Sequence, residues 1–540
     1  MVMRRQLTLS DDPSMRSRFF IALFAVAASG LALNNPIPTE AGLVRGVIGN
    51  VSVFRGIPYA APPVGHLRWK PPQLPEHWKG VRDATKFGAI CMQGPSMLRD
   101  PALPMSEDCL SLNVWTRARS ANDGLPVMVW IHGGFRRGSS SQPQYDGEAL
   151  ARRGVVVISM NYRLGIFGFL AHPALSRESP RRVSGNYGML DQIAALEWVH
   201  RNVHAFGGAP SRVTVFGESA GGFSVLLLNV SPLARGLFAR AISESGGFTI
   251  PHLRERWQGD PPAEETGEQV APDLEALRSQ AADKVLAASE QRSASISSVF
   301  LGLVFRPVVD GWVLPEDPVD AYRAGHVNAA QLIAGTNADE GSLFAGAMPV
   351  KTVAELRKFI LSRYRSTPAA AEKLVSALSD AAMSGAANGE MRRIASRFIG
   401  DVLFFLPTRQ ALRGAALSGR KAWQYEFTRV NGEGANGSGA FHGSEIPYVF
   451  GAFTVAPLGF RPVKAGTYND EDFTLSHLLQ QYWVRFAYSG DPNGDNDPHW
   501  PVFNESSEDF IEVQAPPRRS SHLRSRELDL LRQAMASVAR

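Results

Sequence analysis

Apolar positions along this chain come in short unbroken blocks rather than in long stripes. Residues 127–131, 155–161, 213–216, 241–244, 331–335 and 423–427 are such blocks, several of them rich in Val and Ile. An apolar run of this length without polar alternation predicts a strand covered on both faces. Between the blocks, 188–200 and 220–228 carry small and apolar residues in helix-length stretches. Strands alternating with helices predict an α/β protein with a large, mostly parallel sheet and helices on both faces. Residues 254–298 are polar and rich in Ala and Glu, and predict helices packed outside the sheet. The run 430–440, VNGEGANGSGA, predicts a flexible loop, and the basic, polar stretch 516–526 predicts a mobile tail. No internal repeat and no Pro/Ser linker is evident, so residues 33–540 are expected to form one domain.

Composition narrows this picture. With 44% apolar and 20% charged residues, the 540-residue chain is neither disordered nor fibrous. Two cysteines exclude a disulfide-dense scaffold and any four-cysteine metal site. The N-terminus has the three parts of a secretory signal: Arg16 and Arg18, the apolar core 19–28, and small residues at 29–32. Cleavage is expected after Ala32, with Gly30 as the alternative, which makes residues 1–32 a signal peptide and the protein exported, periplasmic or secreted. That segment carries four Arg and two Asp, which leaves +3 of the +5 formal charge on residues 33–540. So small an excess, with no Lys/Arg stripe, excludes a nucleic-acid partner. No other stretch is long and apolar enough to predict a membrane span.

The chemistry begins at residue 213. Val213-Thr214-Val215-Phe216 predicts a strand, Gly217-Glu218-Ser219-Ala220-Gly221 follows, and a small-residue helix starts there. This G-x-S-x-G turn is so tight that small residues must flank the serine, whose hydroxyl it holds clear of the backbone. The next helix points its free N–H groups and positive dipole end at the same spot. A second strand, 127–131, runs into His132-Gly133-Gly134-Phe135, which fits a loop that offers backbone N–H donors to an oxyanion. Ala220, next after the serine, offers another. His200 and His204 have metal-ligand spacing but neither a zincin glutamate nor a third ligand, so no metal and no cofactor is expected.

Further motifs appear in a recognisable order: Phe54-Arg55-Gly56-Ile57-Pro58-Tyr59-Ala60, Pro62-Pro63-Val64-Gly65, Glu107-Asp108-Cys109-Leu110, Asn161-Tyr162-Arg163-Leu164-Gly165, Gly185-Asn186-Tyr187-Gly188-Met189-Leu190-Asp191-Gln192 and Phe206-Gly207-Gly208. Over residues 40–505 the chain resembles the type-B carboxylesterases, the cholinesterase-like branch of the α/β-hydrolase fold. The resemblance implies a catalytic Ser219, an acid at Glu340 in Asp339-Glu340-Gly341, and a base at His442 in His442-Gly443-Ser444-Glu445. It also implies that Ser245 and Glu218 support the triad from behind, and that Cys91 pairs with Cys109. A secreted hydrolase acting on a small ester with water follows. A cholinesterase-like adhesion domain without catalysis is the alternative class, disfavoured because all three triad positions are filled.

The chain departs from the family in two places. The oxyanion loop passes from Gly134 directly to Phe135, Arg136 and Arg137. Either one residue is deleted and the donors are Gly133, Gly134 and Ala220, or Phe135 takes the place of Gly133 among them. The 17 residues between Cys91 and Cys109 contain no aromatic, so the family's choline-binding tryptophan is missing. Arg136 and Arg137 beside the oxyanion loop suggest that the acyl group carries carboxylates. In length and leader the chain also resembles bacterial esterases that strip tricarballylate from fumonisin mycotoxins, which implies esters of polycarboxylic acids. Neutral short-chain esters are the alternative substrate.

Overall fold

The computed structural model describes residues 33, 35–96, 99, 101–294, 296, 303–382, 390–432, 437–458 and 462–535. Residues 1–32, the expected signal peptide, and residues 433–436 of the glycine-rich loop lie outside them.

Among the described residues, ten strands form the main sheet. In chain order they are β1 (Ser52–Pro58), β2 (Ser111–Thr116), β3 (Leu125–Ile131), β4 (Val156–Met160), β5 (Gly208–Glu218), β6 (Arg240–Glu244), β7 (Gln331–Asn337), β8 (Lys421–Phe427), β9 (Asp509–Val513) and β10 (Arg518–Ser521). Their order across the sheet is β1-β2-β4-β3-β5-β6-β7-β8-β9-β10. Neighbours from β4 to β9 are parallel, and the strands at both edges are antiparallel. This is an α/β-hydrolase fold, as expected.

The six apolar blocks coincide with strands of this sheet, 155–161 overrunning β4 by one residue at each end, and alternate residues part to opposite sides. Val127, Val129 and Ile131 join one core, and Met128 and Trp130 join the other. That is the two-residue period of a strand with a hydrophobic layer on each face. The predicted helices lie within α1 (Tyr187–Asn202) and α2 (Ala220–Val230). Every residue of α2 is buried, so it reads as apolar all round. Stretch 254–298 contains the helices Ala263–Val270, Leu274–Ser279 and Ala282–Ala294. His200 and His204 are exposed at the end of α1 and just beyond it.

The stretch 516–526 departs from expectation. Residues Arg518–Ser521 form β10 against β9, and a helix, Ser525–Met535, follows with Leu528 and Leu531 buried. An edge strand needs only main-chain bonding along one side, so its side chains can be polar and still be ordered.

Candidate active site

Ser219 occupies the turn from β5 into α2 with φ 57° and ψ −123°. For a residue other than glycine this is a strained left-handed geometry. The flanking glycines are forced by the end of β3: a Cβ on Gly217 would lie 2.6 Å from the Ile131 carbonyl oxygen, and one on Gly221 only 1.9 Å from it. Close packing of turn on strand thus explains the G-x-S-x-G spacing.

The carboxyl ends of neighbouring strands bring the remaining groups to this serine. Glu340 follows β7 and His442 follows β8. His442 Nε2 lies 2.7 Å from Ser219 Oγ, and His442 Nδ1 lies 2.6 Å from Glu340 Oε2. The other carboxylate oxygen, Glu340 Oε1, accepts from Ser245 Oγ at 2.5 Å and from the Asn337 N–H at 2.8 Å. Asp339 ties the two loops together: its N–H donates to the Ala440 carbonyl, and its Oδ2 accepts from the Ala440 N–H.

The glycine loop packs directly on the serine. A Cβ on Gly133 would come within 3.1 Å of Ser219 Cβ. Tyr162 OH donates to the His132 carbonyl at 2.8 Å, and the two rings stack at 4.5 Å. Burial lowers the His132 pKa to about 4, so the ring is neutral, and its Nδ1 meets the Gly133 carbonyl at 2.9 Å. Among the described residues, the N–H groups of Gly133, Gly134, Phe135 and Ala220 have no hydrogen-bond acceptor. Phe135 has φ 30°, and its ring meets Phe169 and Phe223 edge-on.

Four glutamates are buried beneath the serine: Glu218, Glu244, Glu340 and Glu445, none more than 2% exposed. Glu218 Oε1 lies 3.2 Å from His442 Nε2. Burial pushes the Glu218 pKa up to about 7, with His442 pulling it down and Glu340 pushing it up. Burial alone would lower His442, but Glu218, Glu340 and Glu445 outweigh it and raise its pKa to about 9. Burial, then Glu218 and Glu340, push Glu445 to about 8. Glu244 is raised well above the ordinary range by burial and by Glu445, against the Trp483 indole N–H that it accepts at 2.8 Å.

This constellation matches one known chemistry, in which a serine is activated by a histidine that a carboxylate orients. The sequence model of the carboxylesterase family matches residues 34–531. The chain belongs to the carboxylesterase family. Among relatives of this carboxylesterase, the fumonisin B1 esterase of Sphingopyxis macrogoltabida is 41% identical over 87% of this chain and 85% of its own length. The para-nitrobenzyl esterase of Bacillus subtilis is 36% identical over 88% of this chain and 94% of its own. A solved para-nitrobenzyl esterase structure superposes with a TM-score of 0.78 at 34% identity, covering 92% of this chain and 99% of that one. The carboxylesterase is therefore a carboxylic-ester hydrolase.

The structure also places residues that the motifs did not single out. Phe404 and Phe344 lie 4.6 and 5.2 Å from the His442 ring and make an apolar wall for it. Phe404 sits in a π-helical turn, Asp401–Phe405, a local widening that recurs at functional sites. Cys91 and Cys109 form a disulfide. The two arginines differ in their surroundings. Arg137 lies 3.7 Å from Glu290, with both side chains partly exposed. Arg136 has no ion pair or side-chain hydrogen bond among the described residues; burial, then Arg137 beside it, lowers its pKa, and the Glu290 charge opposes the shift.

Proposed function

We propose that Ser219 is the nucleophile of this hydrolase, His442 its general base and Glu340 the carboxylate that orients the base. The observation that carries this is the unbroken contact chain from Ser219 Oγ through both His442 nitrogens to Glu340. His442 takes the serine proton as Oγ attacks the ester carbonyl, and returns it to the leaving alcohol. Water, deprotonated by the same base, then cleaves the acyl-enzyme. The N–H groups of Gly133, Gly134 and Ala220 receive the oxyanion, with Phe135 in place of Gly133 as the alternative set. Ser245 holds Glu340, and Glu218 supports His442 from the other side.

The substrate class follows from the loop. Arg136 stands partly buried, with the Glu290 charge felt but no ion pair or side-chain hydrogen bond among the described residues, three residues beyond Gly133. A guanidinium in that state meets a carboxylate with two parallel hydrogen bonds. A relative acting on fumonisin B1 supports the same reading, so the natural ester is one of a polycarboxylic acid, such as the tricarballylate arms of fumonisin-type toxins. Residues 1–32 serve as an export signal ahead of a single hydrolase domain, residues 33–540. The Cys91–Cys109 disulfide supports an oxidising destination.

Replacing Ser219 with Ala is expected to lower turnover of a chromogenic ester by about 10⁶, the size of loss when a triad nucleophile is removed. Activity within about tenfold of the unaltered enzyme would end this assignment.

A further inference from the structure

Asn337 ends β7, between the two loops that deliver Glu340 and His442, and is fully buried. Its backbone N–H donates to Glu340 Oε1 at 2.8 Å. Its side-chain Nδ2 donates to the Phe441 carbonyl at 2.9 Å and to Glu445 Oε2. One amide group thus grips the residue just before His442 and the residue three after it. From this geometry we propose that Asn337 is a positioning residue for His442: it clamps the 441–445 turn and, through Glu445, sets the charge against which His442 exchanges its proton. The proposal rests on the assignment of Ser219, His442 and Glu340 above.

The side chain suits the task. The site needs two N–H donors without a charge, which an amide supplies. An aspartate would set a further carboxylate against Glu445. An alanine would leave the Phe441 carbonyl and Glu445 Oε2 buried without this donor.

The consequence for protonation has a definite sign. Glu445 faces Glu218 at the end of β5, Glu244 at the end of β6 and Glu340 after β7, together with the phenols of Tyr145 and of Tyr425 on β8. The Asn337 bond favours ionised Glu445 against burial, Glu218 and Glu340. Ionised Glu445 in turn favours protonated His442. Losing the amide therefore makes Glu445 more readily neutral, and His442 gives up its proton at lower pH.

The test measures ester hydrolysis against pH for wild type, Asn337→Ala, Glu445→Gln, the double variant and Ser219→Ala. Rates of the variants that keep Ser219 are expressed per site titrated with an organophosphonate, so unfolded material does not count, and the rate of Ser219→Ala is expressed per mole of folded protein. Asn337→Ala is expected to lower kcat by about 10- to 100-fold, the scale of a small misplacement of a catalytic group, with KM within about twofold. The acid limb of kcat/KM should move to lower pH by about half a pH unit. In the Glu445→Gln background, removing the amide should move the limb no further, because the charge it acts through is gone. A wild-type kcat and limb in Asn337→Ala overturns the proposal, and so does a loss of kcat with the limb unmoved, which is the mark of a purely structural role. Glu445→Gln carries the same expectation for the limb with Asn337 intact, and an unmoved limb there also overturns it. Ser219→Ala separates the two claims: if it turns over normally the triad assignment fails, and if it is dead while Asn337→Ala is normal, only the role of Asn337 fails.

Discussion

Arg136 and Arg137 are adjacent in sequence and differ in what they touch. An exposed ion pair such as that of Arg137 with Glu290 contributes under about 1 kcal/mol. Arg136, more enclosed, has greater leverage on a charged substrate. Arg136→Ala is expected to cost about tenfold or more on a tricarboxylic monoester and little on a neutral ester, the discrimination of one charge-assisted contact, whereas Arg137→Ala should affect both equally. Equal losses on the two substrates in Arg136→Ala would remove the basis for a polycarboxylate preference. At this scale the three residues of the proposed triad stood out because each sits inside a short motif with its own turn geometry. Asn337 and Phe404 were not, because their importance comes from what two separate loops place beside them. An asparagine at a strand end and a phenylalanine in an apolar run, 402–406, look ordinary in one dimension.

Among the elements, the proposed oxyanion loop is braced from outside by the disulfide loop. Gln93, two residues past Cys91 and 1% exposed, donates to the Gly138 carbonyl at 3.0 Å and accepts from the Gly138 N–H at 2.9 Å. The bridge that anchors Gln93 thereby steadies the segment from Gly133 to Gly138. Converting both Cys91 and Cys109 to Ser should cost roughly 3 kcal/mol of stability on the loop-closure estimate, and should also lower turnover of a neutral ester as the loop loosens. Thermal denaturation and kcat measured together check this, and an unchanged melting temperature would contradict it. Strands were legible in proportion to how deeply they are covered. β3 and β4 have apolar residues on both faces. β1, SVFRGIP, carries an arginine, a glycine and a proline and shifts register between Phe54 and Ile57. β10, RRSS, is held by main-chain bonds to β9, which leave no trace in a hydropathy pattern.

For the molecule as a whole, the glutamate cluster predicts how stability varies with pH. Glu218 and Glu445 have folded pKa values near 7 and 8, against about 4.3 in an unfolded chain. Between these values the folded chain holds protons that the unfolded chain has lost, so stability falls as pH rises through that window. His442, raised to about 9 from about 6.5, acts in the same direction: its contribution is complete below the unfolded value and is lost as pH rises through the folded one. Urea unfolding is therefore expected to show declining stability from pH 5 to pH 9, with a shallower decline in Glu445→Gln. An identical slope in that variant would show that Glu445 takes no part.

The strand order has a consequence for synthesis. From one edge to the other the sheet follows the chain, apart from the exchange of β3 and β4. A polypeptide leaving the ribosome from its N-terminus thus brings each new strand to an edge already laid down, and seldom has to wait for a distant partner. Chemistry arrives much later than architecture. The proposed nucleophile is in the nascent chain by residue 219 and its proposed base only 223 residues later, at residue 442, so the growing enzyme lays down most of its sheet before the proposed triad is complete.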